Sequence, residues 1–365
     1  MQYSFYVENG IINVFTYIKT KRLQRGLIMD IIGTVNIELW AVVLGATDAL
    51  LSLEMPYGYE LRHLKLKDTP LYEEVVNARG NLDIKYMASN LSDEATSEFI
   101  FLCKTENKAM PLEYFTFGEM MSGNEKAGKY FDEITDKWNK EIFRILSVLR
   151  LIQEGNIEIA DKIYKMKATY KCNNIERRGV SSQDSPISVY DELYEWNNDN
   201  LTCFKDIMGL PETLIYELKD VMERFGRGYS ASRYDDAYKN LVTLAEIILI
   251  GYNSNDKSGG KKEKFANRLA AAIAQDADVQ SVHDKALRMY KERSNETHEG
   301  NNLNITKEEL RELRCAVREM IQNFIFFAKN QYGSIADKTF KGIKREYVIG
   351  LLARINTLQT SGLLR

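Results

Sequence analysis

The regular spacing of apolar residues in the C-terminal half is the feature that most constrains how this 365-residue chain can fold. From Leu210 onward, apolar side chains recur every three or four residues in one segment after another, which is the period of an amphipathic helix. The segments cover residues 210–225, 234–248, 262–274, 340–355 and two further stretches that begin at Val279 and Thr306. A series of this kind predicts an all-α bundle in which each helix buries one stripe.

Helix start and stop signals mark several of these boundaries. Pro211 stands at a helix start, and Gly226 and Gly228 are predicted to end the first helix because glycine weakens helices. Thr306 and Glu309 have the spacing of a capping box, in which each side chain binds the free backbone donor of the other residue. The helix that begins at Thr306 therefore has a well-defined start.

The N-terminal half gives weaker signals of mixed structure. Its first 120 or so residues combine short apolar stretches with turn signals, which predicts an α+β fold. One long amphipathic helix ends before Gly155, residues 157–170 are a candidate strand pair, and the polar residues 173–188 are predicted to be a linker or exposed loop. We expect an α+β N-terminal domain over residues 1–205 and an all-α helical domain over residues 206–365.

Positive charge is concentrated in the C-terminal third. The whole chain carries a net charge of −3, yet residues 257–365 hold 20 Lys and Arg against 13 Asp and Glu, a local charge of +7 that leaves −10 for the rest. This asymmetry is what a surface that handles a polyanion would show, although solvated helix faces alone would also produce it.

The composition is that of a soluble globular protein, with 44% apolar and 28% charged residues. We find no secretory signal at the start and no apolar run of membrane-spanning length, so we expect a cytoplasmic protein without a membrane contact. The four cysteines are far apart and have no histidine at zinc-ligand spacing. They are predicted to be reduced, and no metal site is expected from them.

One segment contains residues that helix packing alone does not explain. In the helix that begins at Val279, the apolar stripe through Met289 or Tyr290 leads next to Arg293. His298 follows five residues later and Gly300 is a predicted stop. Because positions five apart lie ~140° apart around a regular helix, we expect the helix to end before His298, so that this side chain can turn back.

These residues, and the order of the helices, resemble the Apea-like branch of the HEPN superfamily. The Arg-x4-His motif formed by Arg293 and His298 carries the resemblance. It extends to residues 233–237 with Glu246 downstream, to residues 262–274 with Arg268, and to residues 287–290 ahead of the motif, and it covers about residues 210–330. Many family members have Asn, Asp or His directly after the arginine, where this chain has Ser294.

The resemblance implies an all-α HEPN bundle with metal-independent endoribonuclease activity. In that chemistry the 2′-hydroxyl of RNA attacks the adjacent phosphate, giving a cyclic phosphate and a free 5′-hydroxyl without any cofactor or metal. A histidine can exchange protons near neutral pH, and a guanidinium can hold phosphate oxygens and stabilise developing charge. The expected catalytic residues are Arg293 and His298, and Ser294, Asn295 and Tyr290 are supporting or RNA-binding candidates.

The same resemblance implies partners and a biological setting. HEPN modules pair face to face, so we expect a homodimer in which two Arg293 and two His298 side chains form one composite site. The expected substrate is RNA, with tRNA as a candidate, in a prokaryotic defence or toxin effector. The N-terminal domain would sense a trigger ligand or a phage protein.

Several residues have alternative interpretations. Tyr290 could stack on a base or fill the bundle core, and the core is the favoured position. His283 is expected to be a polar residue on a helix face and not a second catalyst. For the whole domain, the alternative is a noncatalytic HEPN module for dimerisation or for binding a nucleotide or other ligand, in which Arg293 only bridges subunits.

Overall fold

A computed structural model shows an α+β N-terminal part followed by a helical C-terminal part, as predicted. It describes residues 3–8, 11–15, 32–70, 72, 98–111, 125–170, 173–181, 192–230, 233–250, 260–299 and 305–364. The chain forms two compact units. The first comprises Met1–Glu38, Thr105–Ile134 and Lys165–Arg178, and the second Leu39–Lys104, Thr135–Tyr164 and Gly179–Arg365.

Two sheets are present among the described residues. The strands are β1 Tyr3–Glu8, β2 Ile11–Phe15, β3 Ile32–Leu44, β4 Glu60–Lys65, β5 Glu98–Pro111, β6 Glu158–Tyr170 and β7 Asn173–Ser181. β1 and β2 form an antiparallel pair, and the other five strands form a sheet in the order β4-β5-β3-β6-β7. The sequence of β3 has the period of a strand, since every second residue from Val35 to Val43 is buried.

The structure differs from two sequence predictions at strands β6 and β7. The segment 157–170, predicted as a strand pair, instead forms one long strand, β6, over Glu158–Tyr170. Residues 173–181, which the sequence indicated as part of a linker, form the edge strand β7. An edge strand needs a partner on one side only, so a polar sequence can pair there without a matching apolar stripe. Residues 182–188 of the same predicted loop lie outside the described residues.

From Leu210 onward the helices agree closely with the apolar pattern, whereas the short helix before it was not predicted. The α-helices are α1 Glu125–Ile152, α2 Leu201–Met208, α3 Glu212–Ser230, α4 Tyr234–Leu249, α5 Lys261–Ile273, α6 Val279–Glu299, α7 Lys307–Gln331 and α8 Phe340–Thr360. Around α4, the helices α3, α6 and α7 bury their apolar stripes, and α8 packs on α5. The predicted domain boundary at residues 205/206 falls inside α2.

The two glycines of α3 do not end this helix as expected. α3 runs through Gly226 and Gly228 to Ser230. A Cβ atom on Gly228 would lie only 2.9 Å from the side chain of Leu241 on α4. The glycine therefore allows α3 to approach α4 closely, and packing outweighs its low helix propensity.

The predicted capping box at the start of α7 is confirmed. The backbone N–H of Glu309 donates to the Thr306 hydroxyl over 3.2 Å, and the backbone N–H of Thr306 donates to the Glu309 carboxylate over 2.8 Å. Two donors of the first turn are thereby satisfied.

Gly155, the residue predicted to follow α1, has the positive φ that glycine adopts without strain. Its φ is 130°, and a Cβ atom would lie 2.5 Å from the Cα of Tyr194. Both the backbone conformation and the close approach of the 193–194 backbone therefore require glycine at this position.

We expect Gly155→Ala to lower the free energy of unfolding by about 3 kcal/mol, because the added methyl group meets backbone and the φ angle becomes strained. Urea denaturation measures the change. Gly350→Ala is the matched control, because Gly350 lies within α8 with nothing near the added Cβ. That variant should gain about 0.5–1 kcal/mol, and an equal loss in both variants would contradict the explanation.

Basic side chains cap the C-terminal ends of two bundle helices. Arg268 donates to the carbonyl of Leu249 over 2.5 Å, and Lys344 donates to that of Ile250 over 2.6 Å. Arg354 binds the carbonyls of Ala271 and Ala274, at the end of α5, over 2.9 and 2.6 Å. Cations suit these positions because the last carbonyls of a helix lack intrahelical partners and carry partial negative charge.

A buried arginine cluster joins the end of α1 to α3 and α7. It consists of Arg150, Arg314 and Arg318 with Glu154 and Tyr229. Arg314 and Arg318 bind different oxygens of the Glu154 carboxylate, and Arg318 also donates to the Tyr229 hydroxyl. The guanidinium of Arg314 lies 4.3 Å from the Tyr229 ring centroid, and that of Arg150 lies 5.4 Å from it. Charged side chains and the Tyr229 ring therefore occupy the junction of these three helices.

Cys103, Cys203 and Cys315 are free thiols, whereas Cys172 lies outside the described residues. None of the helices in the described part of the chain is both long and apolar enough to cross a membrane.

Candidate functional site

Arg293, the first residue of the motif, is held by a carboxylate from another helix. It lies near the C-terminal end of α6, and its Nη1 atom is 2.9 Å from Oε2 of Glu246 on α4. The side chains of Arg293 and Glu246 are 26% and 18% exposed. The guanidinium therefore lies at the edge of the bundle, where Glu246 orients it and part of the side chain is accessible to solvent.

Tyr290 binds the other oxygen of the same carboxylate. Its hydroxyl donates to Oε1 of Glu246 over 2.9 Å, and its ring packs against Phe265 of α5 at a centroid distance of 5.2 Å. Burial and the Glu246 carboxylate raise the pKa of Tyr290, so the hydroxyl keeps its proton and remains a donor. Glu246 thus links Tyr290 and Arg293, which lie one turn apart on α6.

A second tyrosine–glutamate pair joins the same two helices, and here α4 supplies the tyrosine and α6 the glutamate. Tyr238 of α4, which is 1% exposed, donates to Glu292 of α6 over 2.8 Å. Its hydroxyl also lies 3.3 Å from the carbonyl oxygen of Met289. α4 and α6 therefore each supply one tyrosine donor and one carboxylate acceptor, which fixes both the rotation and the translation of α6 at Arg293.

The structure places Tyr290 in the core, the favoured of its two predicted positions. Only 8% of the residue is exposed, which leaves no open ring face for a nucleobase. The backbone of Ser294, Asn295 and His298 belongs to α6, and the side chains of these three residues lie outside the described residues.

The end of α6 differs from the prediction. The helix continues to Glu299, one residue beyond His298, instead of ending before it. The backbone hydrogen bonds of the helix therefore continue through the polar residues that were expected to end it. On a continuous helix, positions 293 and 298 lie ~140° apart around the axis, so they are on different faces of the same chain.

His283 is buried, in contrast to the expectation of a polar helix-face residue. It is 5% exposed, with Nδ1 at 3.1 Å from Asp284 and Nε2 at 3.7 Å from Glu263 of α5. Hydrogen bonds from His283 and Gln280 hold the pKa of the Asp284 carboxyl below its usual range. His283 is ten residues before Arg293, about 15 Å along the helix, and contributes to the α5–α6 interface.

Sequence reasoning did not identify the ligands of Arg293. In the sequence, Glu246 belongs only to the family resemblance, and nothing in its spacing shows that it pairs with Arg293. The signal was an acidic residue on the otherwise buried stripe of α4, between Ala245 and Ile248. A buried-face carboxylate needs a cationic or hydrogen-bonding partner, and α6 supplies both.

We expect Tyr290→Phe to lower the free energy of unfolding by about 1.5–3 kcal/mol, because the half-buried Glu246 carboxylate loses a donor. Chemical denaturation followed by circular dichroism measures the change. Tyr216→Phe provides the control, since Tyr216 is 77% exposed, and its effect should stay within about 0.5 kcal/mol. A loss at position 290 no larger than at 216 would show that this hydrogen bond does not stabilise the bundle.

Within the part of the chain that the structure describes, no three His, Cys, Asp or Glu side chains are grouped so that they could hold a metal ion. Comparison with protein-family models, curated proteins and solved structures gave no match to this chain.

Proposed function

We propose that this chain is a metal-independent endoribonuclease of the HEPN type that acts as a homodimer. The observation that supports this proposal most directly is the position of Arg293. Its guanidinium is oriented by Glu246 at the rim of a helical bundle, and about a quarter of its side chain remains exposed. A pre-oriented cation of this kind suits a phosphate whose negative charge increases during reaction.

The proposed reaction joins the 2′-oxygen of a ribose to the adjacent phosphorus. The bond from phosphorus to the 5′-oxygen of the next nucleotide breaks, which leaves a 2′,3′-cyclic phosphate and a 5′-hydroxyl. One imidazole accepts the proton of the 2′-hydroxyl, and a protonated imidazole donates to the departing 5′-oxygen. Arg293 stabilises the charge on the phosphate oxygens and His298 supplies the imidazole.

The continuous helix through His298 favours a site made by two chains. One chain offers a single His298, and its position lies ~140° around α6 from Arg293. A two-fold partner would bring a second arginine and a second histidine to the same phosphate. In this proposal Glu246 is a positioning residue and does not contact the substrate.

In the proposed setting, the helical domain over residues 206–365 is the nuclease and the N-terminal residues 1–205 regulate it in response to a ligand or phage protein. The protein would then act as a cytoplasmic defence or toxin effector. Ser294 and Asn295 directly follow Arg293 on α6 and are proposed to contact the RNA.

The Arg293–Glu246 ion pair also favours a second candidate function. An arginine that only ties two helices together would make the same contact. In that case the bundle would be a noncatalytic module for dimerisation or ligand binding.

Incubation with RNA in the presence of EDTA tests the proposal. Wild-type protein should cleave total RNA or tRNA to fragments with 2′,3′-cyclic phosphate and 5′-hydroxyl ends. His298→Ala should give no fragments while its thermal stability and oligomeric state match the wild type. If neither protein cleaves RNA, or both cleave it equally, the nuclease proposal fails and the noncatalytic module is favoured.

A further inference from the structure

A groove separates α6 from α7. Both helices pack against α5, but they make few contacts with each other. The groove has a volume of about 500 Å³, and among the described residues only these three helices line it. Its floor is apolar and includes two alanines, whose short side chains leave room for a neighbour. The floor consists of Leu269, Ile273, Val282, Ala286, Met289 and Ala316.

The groove has the length of a short helix. Its two walls run antiparallel, because Lys285 of α6 lies 3.7 Å from Glu312 of α7, whereas Asp278, just before α6, acts on Glu319 further along α7. The lining residues of α7 extend from Glu308 to Glu319, which are 11 positions apart. At a rise of ~1.5 Å per residue this is ~16 Å, the length of about three helical turns.

The rim of the groove carries more acidic than basic side chains. Both cations already have a carboxylate partner, since Lys285 pairs with Glu312 and Arg311 lies 3.5 Å from Glu192. These ion pairs are exposed or half-exposed and therefore contribute little to stability. The rim residues are Glu308, Glu312 and Glu319 with Lys285 and Arg311.

Each end of the groove has a carboxylate that forms no ion pair among the described residues. Glu308 marks one end and Glu319 the other. Partial burial, and then the negative charge of Asp278, raise the pKa of the Glu319 carboxyl. Two acidic groups are therefore close together at that end, and a cation placed beside them would relieve their repulsion.

We propose that this groove binds a basic amphipathic helix of a partner protein. The apolar residues of such a helix, spaced i, i+3 or i+4 and i+7, pack on the floor. Lysine or arginine at the two ends of a three-turn segment meets Glu308 and the Asp278–Glu319 pair. The acidic rim disfavours RNA and anionic membrane surfaces, since both are negatively charged. The inference goes beyond the proposed nuclease and does not depend on RNA cleavage.

A synthetic helix tests the groove in the full chain. The probe is a fluorescein-labelled peptide of about 15 residues, which has leucine at steps of three and four and lysine at the other positions. The control peptide has the same composition, with its leucines distributed around the helix. Fluorescence anisotropy should show that the patterned peptide binds about tenfold more tightly, because only its leucines reach the floor together.

Two charge variants test the rim. Glu308→Gln/Glu319→Gln should weaken binding of the patterned peptide about three- to tenfold, the effect of losing two exposed ion pairs. Glu54→Gln/Glu195→Gln is the matched control, because it removes two exposed glutamates that do not line the groove. This control variant should bind the peptide as tightly as the wild type does.

A bulky side chain tests the floor. Ala316→Trp should weaken peptide binding by at least about tenfold, because the indole occupies the space of the peptide. Ala353→Trp makes the same replacement at an exposed position of α8 and should have no effect. The thermal stability of both variants shows that each is folded when its binding is measured.

Cys315 locates the bound peptide. This thiol is exposed and lines the groove, so the patterned peptide should slow its alkylation by N-ethylmaleimide and leave that of Cys203 unchanged. Binding without protection of Cys315, equal binding of the two peptides, or equal effects of the groove and control variants would overturn the inference. Loss of dimerisation in Ala316→Trp would show that a second copy of this chain occupies the groove, and the proposed occupant would be wrong.

Discussion

Arg293→Lys is expected to lower the rate of RNA cleavage by about 100- to 1,000-fold, the effect of removing one preorganised donor to a developing negative charge. Lysine keeps the positive charge and can still meet Glu246. It lacks the planar fork that binds one partner through one edge while presenting other N–H groups elsewhere. The rate should be measured under single-turnover conditions with excess protein, so that weaker RNA binding does not limit it.

Arg288→Lys is the matched control for this change. Arg288 is exposed and lies five residues earlier on α6, so the same chemical replacement there tests the general effect of losing a guanidinium. Its cleavage rate should stay within about twofold of wild type. Equal rates for all three proteins would exclude Arg293 from catalysis. A large loss of thermal stability in Arg293→Lys would instead assign the ion pair a structural role.

Glu154→Ala is expected to destabilise the protein by about 3–5 kcal/mol, because it leaves the buried arginines 314 and 318 without their shared carboxylate. Only 18% of the Glu154 side chain is exposed, so water replaces it poorly. The free energy of unfolding from urea titration measures the effect. Glu195→Ala is the control, since Glu195 is exposed, and it should change stability by less than about 0.5 kcal/mol.

A charge-removing double variant tests the cause of this loss. Glu154→Leu combined with Arg314→Met removes one partner from each side of the cluster. It should recover part of the stability lost in Glu154→Ala, because an apolar replacement of a buried ion pair is often neutral. Glu154→Leu and Arg314→Met are also measured singly. If the double variant loses more free energy of unfolding than the two single variants added together, the attraction between these charges is not what stabilises the cluster.

The helices could be predicted because each buries one stripe, and a stripe is a local property of the sequence. α4, α5 and α7 begin within one or two residues of their predicted starts for this reason. The capping box at Thr306 was equally readable, since both of its partners lie within four residues. Local interactions of this kind can be predicted without knowledge of the tertiary structure.

The wrong predictions concern residues whose conformation depends on distant neighbours. Gly228 lies inside α3 because Leu241 of the next helix needs the space, a condition absent from the sequence around Gly228. The polar residues 173–181 form a strand because β6 offers them an edge. In both cases tertiary packing outweighs the conformation that the local sequence favours.

The candidate site was predictable as a motif but not as a geometry. The spacing of Arg293 and His298 singled out α6, whereas the carboxylate that holds Arg293 comes from a residue 47 positions earlier. Among the acidic residues near the motif, Glu292 lies next to Arg293 in sequence but accepts from Tyr238 instead. Which acid pairs with which donor depends on the rotation of two packed helices.

The crossed tyrosine–glutamate pairs between α4 and α6 imply a rule for how such chains can diverge. An apolar residue in place of Glu246 would remove the carboxylate that Tyr290 and Arg293 share, so substitutions at position 246 should be accompanied by substitutions at positions 290 and 293. The Tyr238–Glu292 pair shares neither partner and can vary separately. Ancestry of the motif should thus be traced through three linked positions on two helices, which a search for the arginine and histidine alone would overlook.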